Sequence, residues 1–212
     1  AASGDNRIET GAGNDRVSTG RGDDTIKAGT GDNKVEAGSG DNYVSAGSGR
    51  DTISGGSGDD TVYAGDGANR VVAGNGDNLV SSGSGSDTIS AGRGDDTVRA
   101  GDGNNDINVG SGDNQVYAGR GADDVTAGSG DDRIEVGDGR NTVEAGDGDN
   151  RVVTGRDSDR IEAGRGDDTI SAGSGDNKVE AGSGDNYVSA GSGRDRSEER
   201  RVGKECVTQC SS

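Results

Sequence analysis

Every ninth residue between positions 6 and 195 is an aspartate or an asparagine. The aspartates are Asp15, Asp24, Asp51, Asp60, Asp87, Asp96, Asp123, Asp132, Asp159, Asp168 and Asp195. The asparagines are Asn6, Asn33, Asn42, Asn69, Asn78, Asn105, Asn114, Asn141, Asn150, Asn177 and Asn186. A carboxylate oxygen accepts hydrogen bonds and ligates hard cations, whereas a carboxamide offers one oxygen, two N–H donors and no charge. At a fixed interval such groups could line a row of cation sites, or they could bond to turn backbone and to one another. The chain has no His, which removes imidazole ligation and the usual acid–base triads. Its Gly-x-Gly runs lack both the following helix and the Lys-Ser/Thr pair of a phosphate-binding loop.

The elements that must position these residues follow from the same interval. Residues 1–198 divide into 22 nonapeptides without insertion or deletion, beginning AASGDNRIE, TGAGNDRVS, TGRGDDTIK and AGTGDNKVE. Position 2 is Gly in all but Ala2, position 4 is Gly in all but Asp157, and position 8 is Val or Ile in all but Ser197. Glycine at alternate positions opens backbone conformations closed to other residues, so positions 1–6 read as a tight turn. A β-branched residue at position 8, between mostly polar positions 7 and 9, predicts a very short strand with only position 8 pointing in. Position 1 is Ala in 15 of 22 repeats, small enough for a narrow interior. Turn and strand repeated without drift predict an all-β parallel solenoid around a thin ladder of Val and Ile.

Position 5 sets the number of repeats per coil. It is Asp in all 11 odd-numbered repeats, from Asp5 to Asp185, but in even-numbered repeats only at Asp32 and Asp176. Odd and even repeats therefore face different surroundings, which two repeats, or 18 residues, per coil explain. About 11 coils at a strand spacing of about 4.8 Å give a rod roughly 50 Å long. In that coil, position 6 alternates Asn and Asp along each edge without exception. Duplication of a 36-residue unit accounts for the order, and residues 172–195 repeat 28–51 except for Ser174 against Thr30.

Composition narrows the function. The chain has 212 residues, a formal net charge of -18, 44 Gly and no Pro, Phe, Trp or Met. There is too little apolar volume for a conventional globular core. No long apolar run exists, so no membrane-inserting or signal-peptide stretch is expected. The acidic balance excludes nucleic acid as a partner. Nothing in the residues supports catalysis, so this segment reads as no enzyme.

The pattern stops after Asp195. Residues 196–212, RSEERRVGKECVTQCSS, differ in composition and hold both cysteines, Cys206 and Cys210. Residues 196–206 resemble the in-frame translation of a short-read sequencing adapter. The expected division is a repeat domain at 1–195 and a non-native or disordered tail at 196–212. The missing initiator Met fits a fragment of a longer parent chain that carries other domains.

The unit x-G-x-G-x-[DN]-x-[VI]-x resembles the hemolysin-type calcium-binding nonapeptide of the RTX family, G-G-x-G-x-D-x-U-x, over residues 1–195. The resemblance implies a right-handed parallel β-roll of a secreted or cell-surface bacterial protein. Several calcium ions would be held between stacked turns by the position-6 Asp residues above and by turn carbonyls. It also implies a chain that stays unfolded inside the cell, folds on external calcium and serves export. The chemistry agrees, because calcium takes 6–8 oxygen ligands and needs neither His nor Cys. A chain this polar can also draw its folding free energy from the metal. The sequence departs from the family at position 1, mostly Ala, and at position 6, half Asn. An Asn gives a carbonyl oxygen without charge, so an Asp/Asn gap should hold calcium less tightly than a two-Asp gap. The alternative is a metal-independent spacer or adhesin stalk held by Asp/Asn ladders. The constant position-5 Asp predicts that the odd edge binds calcium better than the even edge. All four tyrosines, Tyr43, Tyr63, Tyr117 and Tyr187, fall at outward positions of odd repeats, as a packing or sugar-stacking face would require. Asp157 is expected to distort its turn, with Arg156 beside it to neutralise its charge.

Overall fold

The computed structural model of the chain describes residues 3–199. Among them are 22 strands, from β1 (Arg7–Glu9) to β22 (Arg196–Glu199), and no helix. Odd-numbered strands form one 11-stranded parallel sheet and even-numbered strands the other. Pairing runs at a constant offset of 18 residues, as in Ile8↔Ile26 and Val35↔Ile53. The coil of two nonapeptides is therefore the observed unit, stacked about 11 times as a β-solenoid.

The interior is one residue deep from each sheet. Position 8 is buried from Val17 to Val188, and Ile26, Val35, Val44 and Val62 have no exposed surface. The side chain at position 1 joins it, as Ala28, Ala37, Ala46 and Ala64 do at zero exposure. The β-branched residues stack directly over one another, which suits their restricted χ1. Positions 7 and 9 point outward. On the odd sheet Tyr43 and Tyr63 pack with ring centroids 5.7 Å apart, and the Arg99 guanidinium lies 5.5 Å from the Tyr117 ring centre.

Two glycines show why the turn needs them. Gly38 and Gly40 have φ of +111° and +117°. A Cβ at Gly38 would stand 2.1 Å from the Gly20 carbonyl oxygen, and one at Gly40 2.3 Å from that of Gly22. Coils thus approach so closely at the turns that any side chain at positions 2 and 4 meets the backbone below. Asp157 occupies position 4 at φ 88°, the one non-glycine with positive φ among the described residues. Arg156 beside it makes its direct ion pair with Asp138 of the coil below, its Nη2 2.6 Å from Oδ2, while the Asp157 charge acts on it more weakly. The guanidinium reaches along the stacking direction because Arg156 and Asp138 occupy the same turn position one coil apart.

The strand register continues through Arg196–Glu199, where Lys178 pairs with Arg196 and Val179 with Ser197. The described fold therefore extends four residues beyond the end of the repeat pattern. Cys206 and Cys210 lie outside the described residues.

Candidate metal centre

Position 6 faces into the solenoid. Asp24, Asn33, Asn42, Asp51 and Asp60 are each no more than 2% exposed. What holds them there is a ladder of side chain on backbone. The position-6 N–H of each coil donates to Oδ1 of the position-6 residue in the next coil, as Asn33 to Asp51 (2.8 Å) and Asp51 to Asn69 (3.0 Å). The bond recurs whether the acceptor is Asp or Asn, as in Asn42 to Asp60 and Asp60 to Asn78. Either residue supplies the needed oxygen, so either satisfies the fold.

The second atom of the group separates the two residues. In the asparagines it is a nitrogen, and it is used. Nδ2 donates to the position-4 carbonyl of its own turn, as Asn78 to Gly76 (2.8 Å) and Asn114 to Gly112 (2.8 Å). Further oxygens surround it. Asn33 Nδ2 also reaches Gly29 and Ala46 carbonyls at 3.3 Å, and Asn105 Nδ2 reaches Asp123 Oδ1 at 2.8 Å. In the aspartates the second atom is an oxygen. Asp15, Asp24, Asp51, Asp60, Asp87, Asp96, Asp123, Asp132, Asp159 and Asp168 all leave Oδ2 buried without a hydrogen-bond partner. Because Oδ1 makes the same ladder bond in both residue types, Oδ2 is the atom that stands where asparagine has its amide nitrogen. Beside Gly55 the crowding of oxygens is explicit: one point lies 2.4 Å from Asp60 Oδ2 and 2.6 Å from the Ala73 carbonyl oxygen.

A buried carboxylate without a donor is costly to ionise. Burial pushes the Asp51, Asp60, Asp87, Asp123 and Asp159 carboxyls above their ordinary value. Asp96, Asp132 and Asp168 rise to about 6, first through burial and then through the negative position-5 residues around them, such as Asp77 and Asp95 at Asp96. All three lie on the odd edge. Asp24 differs: burial pushes its carboxyl up, but the backbone and side-chain N–H groups of Asn6 donate to its Oδ1 and hold it low.

The odd-edge position-5 aspartates form a second ladder, outside the first and of opposite sense. Here the N–H of the upper coil donates to the carboxylate below, as Asp41 to Asp23 and Asp59 to Asp41, both 2.8 Å. The even edge keeps it only where position 5 has an acceptor, as Arg50 to Asp32 and Ala122 to Asn104. Constancy of Asp at odd position 5 therefore has a backbone role that its spacing did not reveal.

Among the described residues, no three His, Cys, Asp or Glu side chains converge as a metal cluster. A cation held here would need main-chain carbonyls beside each carboxylate. A family model, the RTX calcium-binding nonapeptide repeat, matches the chain in overlapping stretches from 1–35 to 162–196. The chain belongs to the RTX calcium-binding repeat family. No curated protein matches it. It is an RTX repeat module with a β-solenoid fold, a structural and ion-binding class rather than a catalytic one. The RTX ion fits what the turns offer: donors that are all oxygen, one of them an orphaned carboxylate oxygen in every Asp turn from Asp15 to Asp168.

Further residues of these turns escaped the reading of the sequence. Position 1 is a hydroxyl residue at Thr10, Thr19, Ser82 and Thr154, and each of these repeats has Asp at position 6. The two position-1 valines, Val109 and Val136, both fall in Asn repeats. The covariation of positions 1 and 6 within a repeat was the available signal.

Proposed function

We propose that this chain is a calcium-dependent folding module of a secreted or cell-surface bacterial protein, with calcium held at the Asp turns and the Asn turns closed by their own amides. The observation that carries this is the contrast at position 6. Each asparagine nitrogen has oxygen acceptors around it, and each buried aspartate Oδ2, the atom that replaces it, has no donor. Asp15, Asp24, Asp51, Asp60, Asp87, Asp96, Asp123, Asp132, Asp159 and Asp168 would hold the ions with turn carbonyls, and Asp195 would complete the series in the last described coil. A bound calcium ion supplies the positive charge that lets these carboxylates stay ionised out of water. The net charge of -18 adds to the need for it. The odd edge, where the position-5 aspartates surround the site, would draw the ion more strongly.

Folding tied to the metal suits a chain that must cross a membrane unfolded and become rigid outside, where calcium is plentiful. The parent protein would attach other domains to this rod. The side-chain ladders favour a second reading, a metal-independent stalk, because they need no ion. Far-UV circular dichroism of residues 1–195, titrated with calcium from chelator upward with magnesium as control, separates the two. A coil-to-β transition with calcium alone supports the first reading. A complete β spectrum in chelator at neutral pH overturns it and leaves the stalk.

A further inference from the structure

The side chain at position 1 of a repeat faces the position-6 carboxylate of the same turn. The Gly55 geometry shows it: a side chain there would point between Asp60 Oδ2 and the Ala73 carbonyl. In four repeats that place holds a hydroxyl. Thr10 Oγ1 donates to the Ala28 carbonyl (2.7 Å), Ser82 Oγ to that of Ala100 (2.9 Å) and Thr154 Oγ1 to that of Ala172 (3.0 Å), and Thr19 makes the same bond to Ala37. The hydroxyls of Thr19, Ser82 and Thr154 also lie within reach of the carboxylates of Asp24, Asp87 and Asp159. A hydroxyl has one hydrogen and a free rotor. It can donate to the carbonyl of the next coil and leave its lone pairs towards the site, or turn and donate to Oδ2. The other Asp turns, with Ala or Gly at position 1, have no such choice.

We propose that the hydroxyls of Thr10, Thr19, Ser82 and Thr154 are stand-by partners of the carboxylates at Asp15, Asp24, Asp87 and Asp159, so that these turns stay closed when metal is withdrawn and the others open first. The inference rests on the proposed calcium sites and adds an order among them. Thr10 and Thr19 place such hydroxyls on both edges near the N-terminal end of the described rod, so the turns of Asp15 and Asp24 outlast those that have none. Ser82 and Thr154 provide two further holding points along the rod. Between them, the turns of Asp96, Asp123 and Asp132 have Ala91, Ala118 and Ala127 at position 1 and depend on the ion alone.

Hydrogen exchange read by mass spectrometry, on the whole chain through a series of buffered calcium concentrations, tests this. With falling calcium, peptides around Asp15, Asp24, Asp87 and Asp159 should keep protection after those around Asp123 and Asp132 have lost it. Ser82→Ala should lower protection of the Asp87 turn about tenfold more at limiting calcium than at saturation, where only its bond to the Ala100 carbonyl is lost, as expected for one hydrogen bond to a charged group. Ala127→Ser should raise protection at the Asp132 turn in the same conditions. Uniform loss along the rod would overturn the proposal. So would a Ser82→Ala effect as large at saturating calcium, which would make the hydroxyl only a cap on the Ala100 carbonyl. Calcium-dependent folding with a uniform exchange pattern sinks this inference alone. Protection that ignores calcium altogether sinks the proposed function, while the two variants still report whether the hydroxyls partner the carboxylates.

Discussion

Replacing Asp96 by asparagine should stabilise the metal-free rod, although it removes a proposed calcium ligand. Asp96 is 1% exposed, its Oδ1 accepts from Asn78, and its Oδ2 has no partner. Its carboxyl is pushed up to about 6 by burial and by Asp77 and Asp95, from an ordinary 3.8. At pH 7.5 the folded chain must ionise it against that rise of roughly two units, which costs at most about 3 kcal/mol. The asparagine keeps the ladder bond and adds an Nδ2–H for the Gly94 carbonyl, as Asn78 does for Gly76 and Asn114 for Gly112. A gain of about 1–3 kcal/mol is expected at pH 7.5. Urea unfolding in chelator measures it, with enough osmolyte to bring the parent chain to a measurable folded fraction. The gain should fade at pH 4, where Asp96 is protonated and donates for itself, and the variant should bind fewer calcium ions at saturation. A variant less stable than the parent in chelator at pH 7.5 would refute the reasoning. A gain indifferent to pH would show that the orphaned charge is not its source.

Three more outcomes follow from the same geometry. In chelator, the parent rod should be more stable in mild acid than at neutrality. The folded values near 6 at Asp96, Asp132 and Asp168 lie above the ordinary 3.8, so their contribution is complete below about 3.8 and is lost as pH rises through about 6. Circular dichroism across that window checks it, and a rod that only loses structure on acidification would contradict it. Gly94→Ala should cost about 2–4 kcal/mol in calcium by thermal unfolding, because Gly94 has φ +121° and its Cβ would meet the Gly76 carbonyl oxygen at 2.2 Å. Asp157→Gly should gain about 1 kcal/mol in the same assay, since it relieves a positive φ of 88° in a non-glycine.

Much of the fold was legible because the repeat is so strict. Gly at positions 2 and 4 marked the turn, Val or Ile at position 8 marked the strand, and Asp5, Asp23 and Asp41 against Asn14, Asp32 and Arg50 marked the two-repeat coil. These signals are local, or depend only on counting. The site was legible only as a set of residue types. That each position-6 oxygen takes an N–H from a residue 18 positions away is a property of stacking, and stacking has no signature within one nonapeptide. The different fates of Asn Nδ2 and Asp Oδ2 were hidden for the same reason, since the acceptors around Asn33 include the Ala46 carbonyl of the next coil. Arg156 shows the same limit: sequence shows its neighbour Asp157, but its direct ion pair is with Asp138, one coil away.

The alternation of Asn and Asp along each edge governs how such a rod can change its length. Removing or inserting one coil of 18 residues would leave every strand in register and every Val or Ile over another, so the backbone would close without strain. It would also bring like over like on both edges: losing residues 19–36, for example, would set Asn6 against Asn42 on one edge and Asp15 against Asp51 on the other. Only steps of 36 residues preserve the phase. The near-copy of 28–51 at 172–195 lies 144 residues on, four such steps. The rod is thus extensible like a two-colour chain: its mechanics repeat with each coil, its chemistry with every second one.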